Sequence, residues 1–289
     1  MRASIYTWNC ERVVSWGNSI AEYLGRYSNV YLLTELPGNI GDHLIWEGTI
    51  TFLNNHNIPF TEIKRRDLDS VSGIHGCLLI PGSGALSKHF NEWLPETIES
   101  ASSRFTHVVV LPSKINPEVD KVANILGLYN TNFFAREQNS FSKAKRFAQV
   151  GLGIDLALFS KYFDVVDSND SIANQDTLVC LRTDQASRVI SAAYSLNNQI
   201  NNDISITKSN LDDWMRAIKG SETIVTDRLH VAVSAVMLNK NLFYLDANVN
   251  KISNYFEFTF GSKTPTSKSV KIDLEWLNEK GYIQLNQVN

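Results

Sequence analysis

Short, unbroken apolar runs alternate with amphipathic stretches along the first half of the chain. NVYLLTE (29–35) leads through a glycine turn, GNIGD (38–42), into the helical pattern of DHLIWEGTITFLNNH (42–56). GCLLIPGSGAL (76–86) puts a strand before Pro81-Gly82-Ser83-Gly84, and HVVVLPSKI (107–115) supplies another. TNFFAREQNSFSKAKRF (131–147) reads as a strand ending at Arg136 and then a helix. Strands that are apolar throughout, with helices between them, predict a parallel sheet covered on both faces. The pattern loosens over 167–176, where Asp, Asn and Ser accumulate, and this stretch reads as a linker. Beyond it TLVCLRTD, DISITK, ETIVTD and NLFYLD are strand candidates, with SNLDDWMRAIKG and DRLHVAVSAVMLNK as helices between them. Ser209 or Asn210 is the expected cap of the first of these helices and Gly220 its stop. The pattern therefore predicts two α/β domains in tandem, 1–166 and 167–289. Ligands of such sheets collect beyond the carboxyl ends of the strands.

Composition narrows the partners more than the fold. The 289 residues carry a formal net charge of −3 and a pI near 6.1, so no overall basic field exists to gather nucleic acid or an anionic membrane. Cys10, Cys77 and Cys180 lie far apart, without CxxC or metal-ligand spacing, and no HxH or HExxH pairs the histidines. Neither a disulfide framework nor a metal is expected, which favours a reducing cytoplasm. No window has the apolar length of a signal peptide core or a membrane span, so at most peripheral membrane contact is expected, from the inner face.

Candidate chemistry gathers at strand ends. Thr226-Asp227 form a good cap pair, which puts Arg228 and His230 in the first turn of the following helix. The helix dipole disfavours a cation there unless an anion shares the spot, and it leaves a neutral imidazole suited to take a proton. The plainer alternative pairs Arg228 with Asp227 or another carboxylate and packs His230 between helix and sheet. Arg182, with Asp184, and Arg136, with Glu137, also follow apolar strands. Three strand-end arginines suit a small, highly anionic ligand, although such residues also form ordinary ion pairs. Gly38 to Asp42 is either a loop shaped to hold a ligand or only a connection, and Ser83 lies in a glycine turn open to the same two readings. GxGxxG, the Walker pattern and GxSxG are all absent.

These residues resemble a known family. GNIGDHLIWEGT, LLIPGSGAL, FFAREQNSF, LRTD and above all TDRLHVAVSAVMLNKNLFYLDANVNKISNYF look like the polysaccharide pyruvyl transferases, roughly from residue 30 to 260. The resemblance implies two Rossmann-like domains facing a cleft, as in the glycosyltransferase-B fold, with 1–166 on the acceptor side and 167–289 on the donor side. It implies transfer of the enolpyruvyl unit of phosphoenolpyruvate to two sugar hydroxyls, giving a pyruvate ketal, with a free or lipid-linked oligosaccharide as acceptor and no cofactor beyond the donor. The Arg-Leu-His triplet falls on Arg228, Leu229 and His230, and a further donor arginine on Arg182. Arg136, Ser83 and Lys251 join the expected substrate contacts, with Asn39 and Gly41 on the acceptor side. His230 is the expected proton-transfer group and Asp42 the residue that orients or deprotonates the acceptor. Departures remain: about one extra helix-strand unit precedes the glycine motif, and Asp246-Ala247-Asn248 replaces a common Asp-Asn pair. A sugar-nucleotide glycosyltransferase, or a binding protein without catalysis, would follow the same plan.

Overall fold

The computed structural model describes residues 11–87, 93–147, 149–163, 175–184, 194–246 and 250–286, with Ser187, Val189 and Ala192. Contacts divide the chain into two compact units: Tyr162–Asn289 together with Asn39–Leu44 form one, and Ile45–Lys161 with the stretch ending at Gly38 form the other.

The six-stranded unit runs α1 (Glu11–Leu24), β1 (Val30–Thr34), α2 (Ile40–Asn55, whose first residues count with the other unit), β2 (Thr61–Lys64), β3 (Ile74–Ile80), α3 (Trp93–Ser102), β4 (Phe105–Ser113), α4 (Asp120–Leu126), β5 (Thr131–Ala135), α5 (Gln138–Ala144) and β6 (Val150–Leu152). All neighbours are parallel, in the order β2-β1-β3-β4-β5-β6. Val108 to Leu111 of β4 are fully buried, as a strand covered on both faces requires. The strand order reverses between β1 and β3, so the carboxyl ends of those two strands flank this sheet's switch point. β2 is an edge strand with three of its four residues exposed, and its polar TEIK gives no apolar pattern to read. After β3 the chain turns at Gly82, where a Cβ would lie 2.2 Å from the Pro112 carbonyl oxygen, so only glycine fits.

The second unit runs β7 (Gln175–Cys180), β8 (Tyr194–Leu196), α6 (Ile204–Thr207), α7 (Leu211–Lys219), β9 (Ser221–Thr226), α8 (Leu229–Met237), β10 (Asn241–Leu245), α9 (Lys251–Phe260), β11 (Ser269–Ile272), α10 (Leu274–Glu279) and β12 (Ile283–Leu285). β11-β10-β9-β7 form a parallel sheet, and β12 pairs antiparallel with β8. Asn210 caps α7 by accepting from the Asp213 N–H at 2.8 Å, and Gly220 ends that helix. Two expectations change. Most of the linker lies outside the described residues, and its last two residues, Gln175 and Asp176, belong to β7. DISITK is not a strand: β7 pairs directly with β9, and Ile204–Thr207 instead form one helical turn closed by N–H bonds from Ile206 and Thr207 to the Asp203 carbonyl at 2.9 and 3.0 Å.

Candidate active site

The carboxyl ends of β7 and β9 are tied together by side chains. Thr226 Oγ1 donates to the Cys180 carbonyl at 2.7 Å and accepts from the Arg228 N–H at 3.0 Å, and Asp227 Oδ1 accepts from the Arg182 N–H at 2.8 Å. Thr226 and Asp227 therefore do not cap α8 as the sequence suggested. Arg228 itself occupies the cap position and its side chain makes no cap bond. The neighbouring strand end presents its backbone groups to Thr226 and Asp227, and they satisfy those instead of the helix.

Arg182 and Arg228, remote in sequence, converge. Arg182 grips Asp184 through two parallel bonds, Nε to Oδ1 at 2.9 Å and Nη2 to Oδ2 at 2.8 Å. Arg228 reaches the same Asp184 Oδ2 from Nη2 at 3.2 Å and forks onto Asp203, Nε to Oδ1 at 2.7 Å with Nη2 on Oδ2. Asp203 also accepts from the N–H and Oγ1 of Thr183 at 3.0 and 3.1 Å. Burial works against the charge of Arg228, but the hydrogen bond and charge of Asp203, with Asp184, outweigh it and hold the guanidinium above its ordinary value. Burial raises the Asp227 carboxyl to about 6, although the Arg182 N–H and both guanidiniums pull it down. Burial likewise pushes the Cys180 thiol up to about 12, where it is inert. Of the three strand-end arginines expected around an anionic ligand, Arg182 and Arg228 meet, but on carboxylates, two cations among Asp184, Asp203 and Asp227. Sequence reasoning missed Asp203, because DISITK was read as a strand. Its only signal was an aspartate heading a short run of β-branched and small residues.

His230, the second residue of α8, is 8% exposed and packs against the start of α2 in the same compact unit. A Cβ on Gly41 would stand 3.3 Å from both Cβ and Nδ1 of His230, so the glycine permits this approach. The α2 start is a capping box. Asn39 Oδ1 accepts from the Gly41 N–H at 2.9 Å, while Asp42 Oδ2 reaches back to the Asn39 N–H at 3.0 Å and to Asn39 Nδ2 at 2.9 Å. The glycine stretch thus has a local cause, a capped helix start, and one long-range contact, the imidazole.

Other expected contacts are engaged locally. Leu229 is 5% exposed and belongs to the core. Lys251 begins α9 after Asn250, whose φ of 49° is left-handed, and Asp246 accepts from the Ile252 N–H at 2.7 Å at that helix start. Ala247 and Asn248 lie outside the described residues. Arg136 and Ser83 belong to the six-stranded unit. Arg136 forms a buried ion pair with Asp155 at 2.9 Å, and Ser83 Oγ accepts from the Ala85 N–H at 2.9 Å within the turn. Arg136 thus forms an ordinary ion pair, and Arg228 too meets carboxylates, Asp203 and Asp184, as the plainer alternative had it. Among the described residues no cluster of three or more His, Cys, Asp or Glu is placed to hold a metal ion, and no helix is long and apolar enough to cross a membrane.

The model of the polysaccharide pyruvyl transferases matches residues 39–248, from the capping box past the end of β10. The chain belongs to the polysaccharide pyruvyl transferase family. The match takes in Arg182, Asp203, Arg228 and His230, so the converging arginines and the imidazole lie within the family's own region. Membership makes the protein a transferase with a pyruvyl-transfer role on polysaccharide. The fold of this pyruvyl transferase is similar to the crystal structure of an uncharacterized protein from Klebsiella pneumoniae subsp. pneumoniae, with a TM-score of 0.69 at 20% identity over 90% of this chain and 98% of that one. A comparison with curated proteins returned no match.

Proposed function

We propose that this transferase takes phosphoenolpyruvate as donor and forms a cyclic pyruvate ketal on a sugar of a glycan precursor, releasing phosphate. One observation carries the reading: Arg182 and Arg228 bring their guanidiniums to a single carboxylate at the carboxyl edge of β7 and β9, with His230 two residues beyond Arg228. A carboxylate and a phosphate a few ångströms apart are what such paired forks hold. In balanced form, the C3 methylene of the donor takes a proton and becomes a methyl group, and C2 gains oxocarbenium character. One sugar hydroxyl bonds to C2 and loses its proton. The C2–O bond then breaks with its electron pair leaving on phosphate, and the second hydroxyl closes on C2 and gives up its proton.

His230 is assigned the proton transfer, typically worth about two to four orders of magnitude. Arg182 and Arg228 neutralise the donor and the departing phosphate. Asp42 orients the acceptor, held in place by the capping box. The reading keeps the glycosyltransferase-B plan and the acceptor side that the family resemblance implies, a free or lipid-linked sugar acceptor, and no cofactor beyond the donor. It also keeps the cytoplasm, at the inner face of the membrane where the acceptor is lipid-linked.

Thermal shift with phosphoenolpyruvate and with sugar nucleotides tests the donor. Stabilisation by phosphoenolpyruvate supports the proposal. Stabilisation by a sugar nucleotide alone replaces it with the glycosyltransferase reading. Phosphate release over a panel of β-galactosyl and N-acetylmannosaminyl acceptors then identifies the sugar.

A further inference from the structure

Three carboxylates surround the two guanidiniums, and they are not equivalent. Asp203 and Asp227 are buried, and each holds loop backbone in place: Asp203 the Thr183 N–H, Asp227 the Arg182 N–H. Withdrawing either would strand a charge in the interior. Asp184 differs. Its side chain is 36% exposed, yet its two oxygens take both parallel bonds of Arg182 and one bond of Arg228. It bridges both forks while keeping a path back to water.

We propose that Asp184 is a displaceable stand-in for the donor's anion and thereby a residue that sets donor specificity. The inference rests on the reading of Arg182 and Arg228 as the donor site. A singly charged ligand would exchange one carboxylate for another on the same guanidiniums and gain little. A ligand with two anionic groups engages both forks at once, replaces the three arginine bonds, and displaces Asp184 from the guanidiniums. Buried Asp203 keeps Arg228 in position throughout the exchange. Because the competent form is the one with Asp184 withdrawn, apparent affinity is reduced by the fraction of molecules in which it is not.

Isothermal titration of phosphoenolpyruvate and of inorganic phosphate, into wild type, Asp184→Asn, Asp184→Ser and Arg182→Gln, tests this, with circular dichroism to establish that each variant is folded. The expected result is a Kd about tenfold lower in the Asp184 variants and higher in Arg182→Gln. A merely structural role for Asp184 would not produce tighter binding. If both Asp184 variants bind phosphoenolpyruvate no better than wild type while Arg182→Gln binds it worse, Asp184 organises the forks and does not compete for them, and the donor site stands without this inference. If Arg182→Gln binds phosphoenolpyruvate as tightly as wild type, the donor-site reading fails and the inference goes with it. The serine variant gives the same readout should the asparagine variant not fold.

Discussion

Gly41 lies where two demands meet, since its N–H is held by the helix cap and its missing Cβ leaves room for an imidazole. In Gly41→Ala the new carbon would lie 3.0 Å from Asn39 Oδ1 and 3.3 Å from the His230 ring nitrogen, so one of them must shift by a few tenths of an ångström. Overpacking of this kind costs about 1–3 kcal/mol. With His230 in its proposed proton-transfer role, such a displacement should lower kcat for pyruvyl transfer about tenfold or more, while urea unfolding records only the modest loss of stability. An Asp42→Asn protein separates the proposed acceptor role of that residue from its observed capping role. Asparagine still accepts the Asn39 N–H and so keeps the cap, but it cannot take a proton. Wild-type turnover in that variant would reduce Asp42 to a capping residue. The glycine turn and the helix after it were legible in the sequence, but the Asn39–Asp42 box that joins them was not read there. Nor was the imidazole contact, because nothing local links Gly41 to a histidine far along the chain.

At the scale of elements, the long apolar strands and the amphipathic helices were readable because burial on both faces of a parallel sheet forces continuous apolar runs. β2 escaped because an edge strand needs no such run, and DISITK misled because four β-branched or small residues fit one helical turn as well as a strand when no sheet position is open. Strand-end arginines looked alike in sequence. A buried carboxylate partner does not separate them, since Arg136 meets Asp155 inside the six-stranded unit and Arg228 meets Asp203; a shared partner does, since Arg182 and Arg228 both reach Asp184. Asp155→Ala leaves the Arg136 guanidinium buried and unpaired, and it should cost about 3–5 kcal/mol in urea unfolding. An Arg136→Met, Asp155→Leu double variant should recover most of the loss, and failure to recover would mean that the pair shapes the fold beyond balancing charge.

For the molecule as a whole, Asp227 couples stability to pH. Its carboxyl is raised from 3.8 to about 6 in the folded protein, chiefly by burial, so the folded state holds a proton that the unfolded chain releases earlier. That contribution is complete below the unfolded value near 4 and is lost as pH rises through about 6, a difference on the order of 3 kcal/mol from a shift of about 2 pH units. Denaturant unfolding of wild type and Asp227→Asn at pH 4 and pH 7.5 isolates it, because other carboxylates act alike in both proteins. The wild type should lose more stability across that interval than the variant, and an equal loss would show that Asp227 is already ionised at the lower pH. The family was legible from motif order, and a carboxylate partner for Arg228 was one of the two readings the sequence offered; that the partner is Asp203 was not, since only the folded chain brings it beside Arg228. The most direct measurement follows the ketal carbon itself, by 13C NMR of labelled phosphoenolpyruvate incubated with a sugar acceptor. A quaternary ketal signal should grow with wild type and be absent with folded His230→Ala. A ketal signal of equal rate in both proteins, or none with wild type on any acceptor, would contradict the assignment of this site.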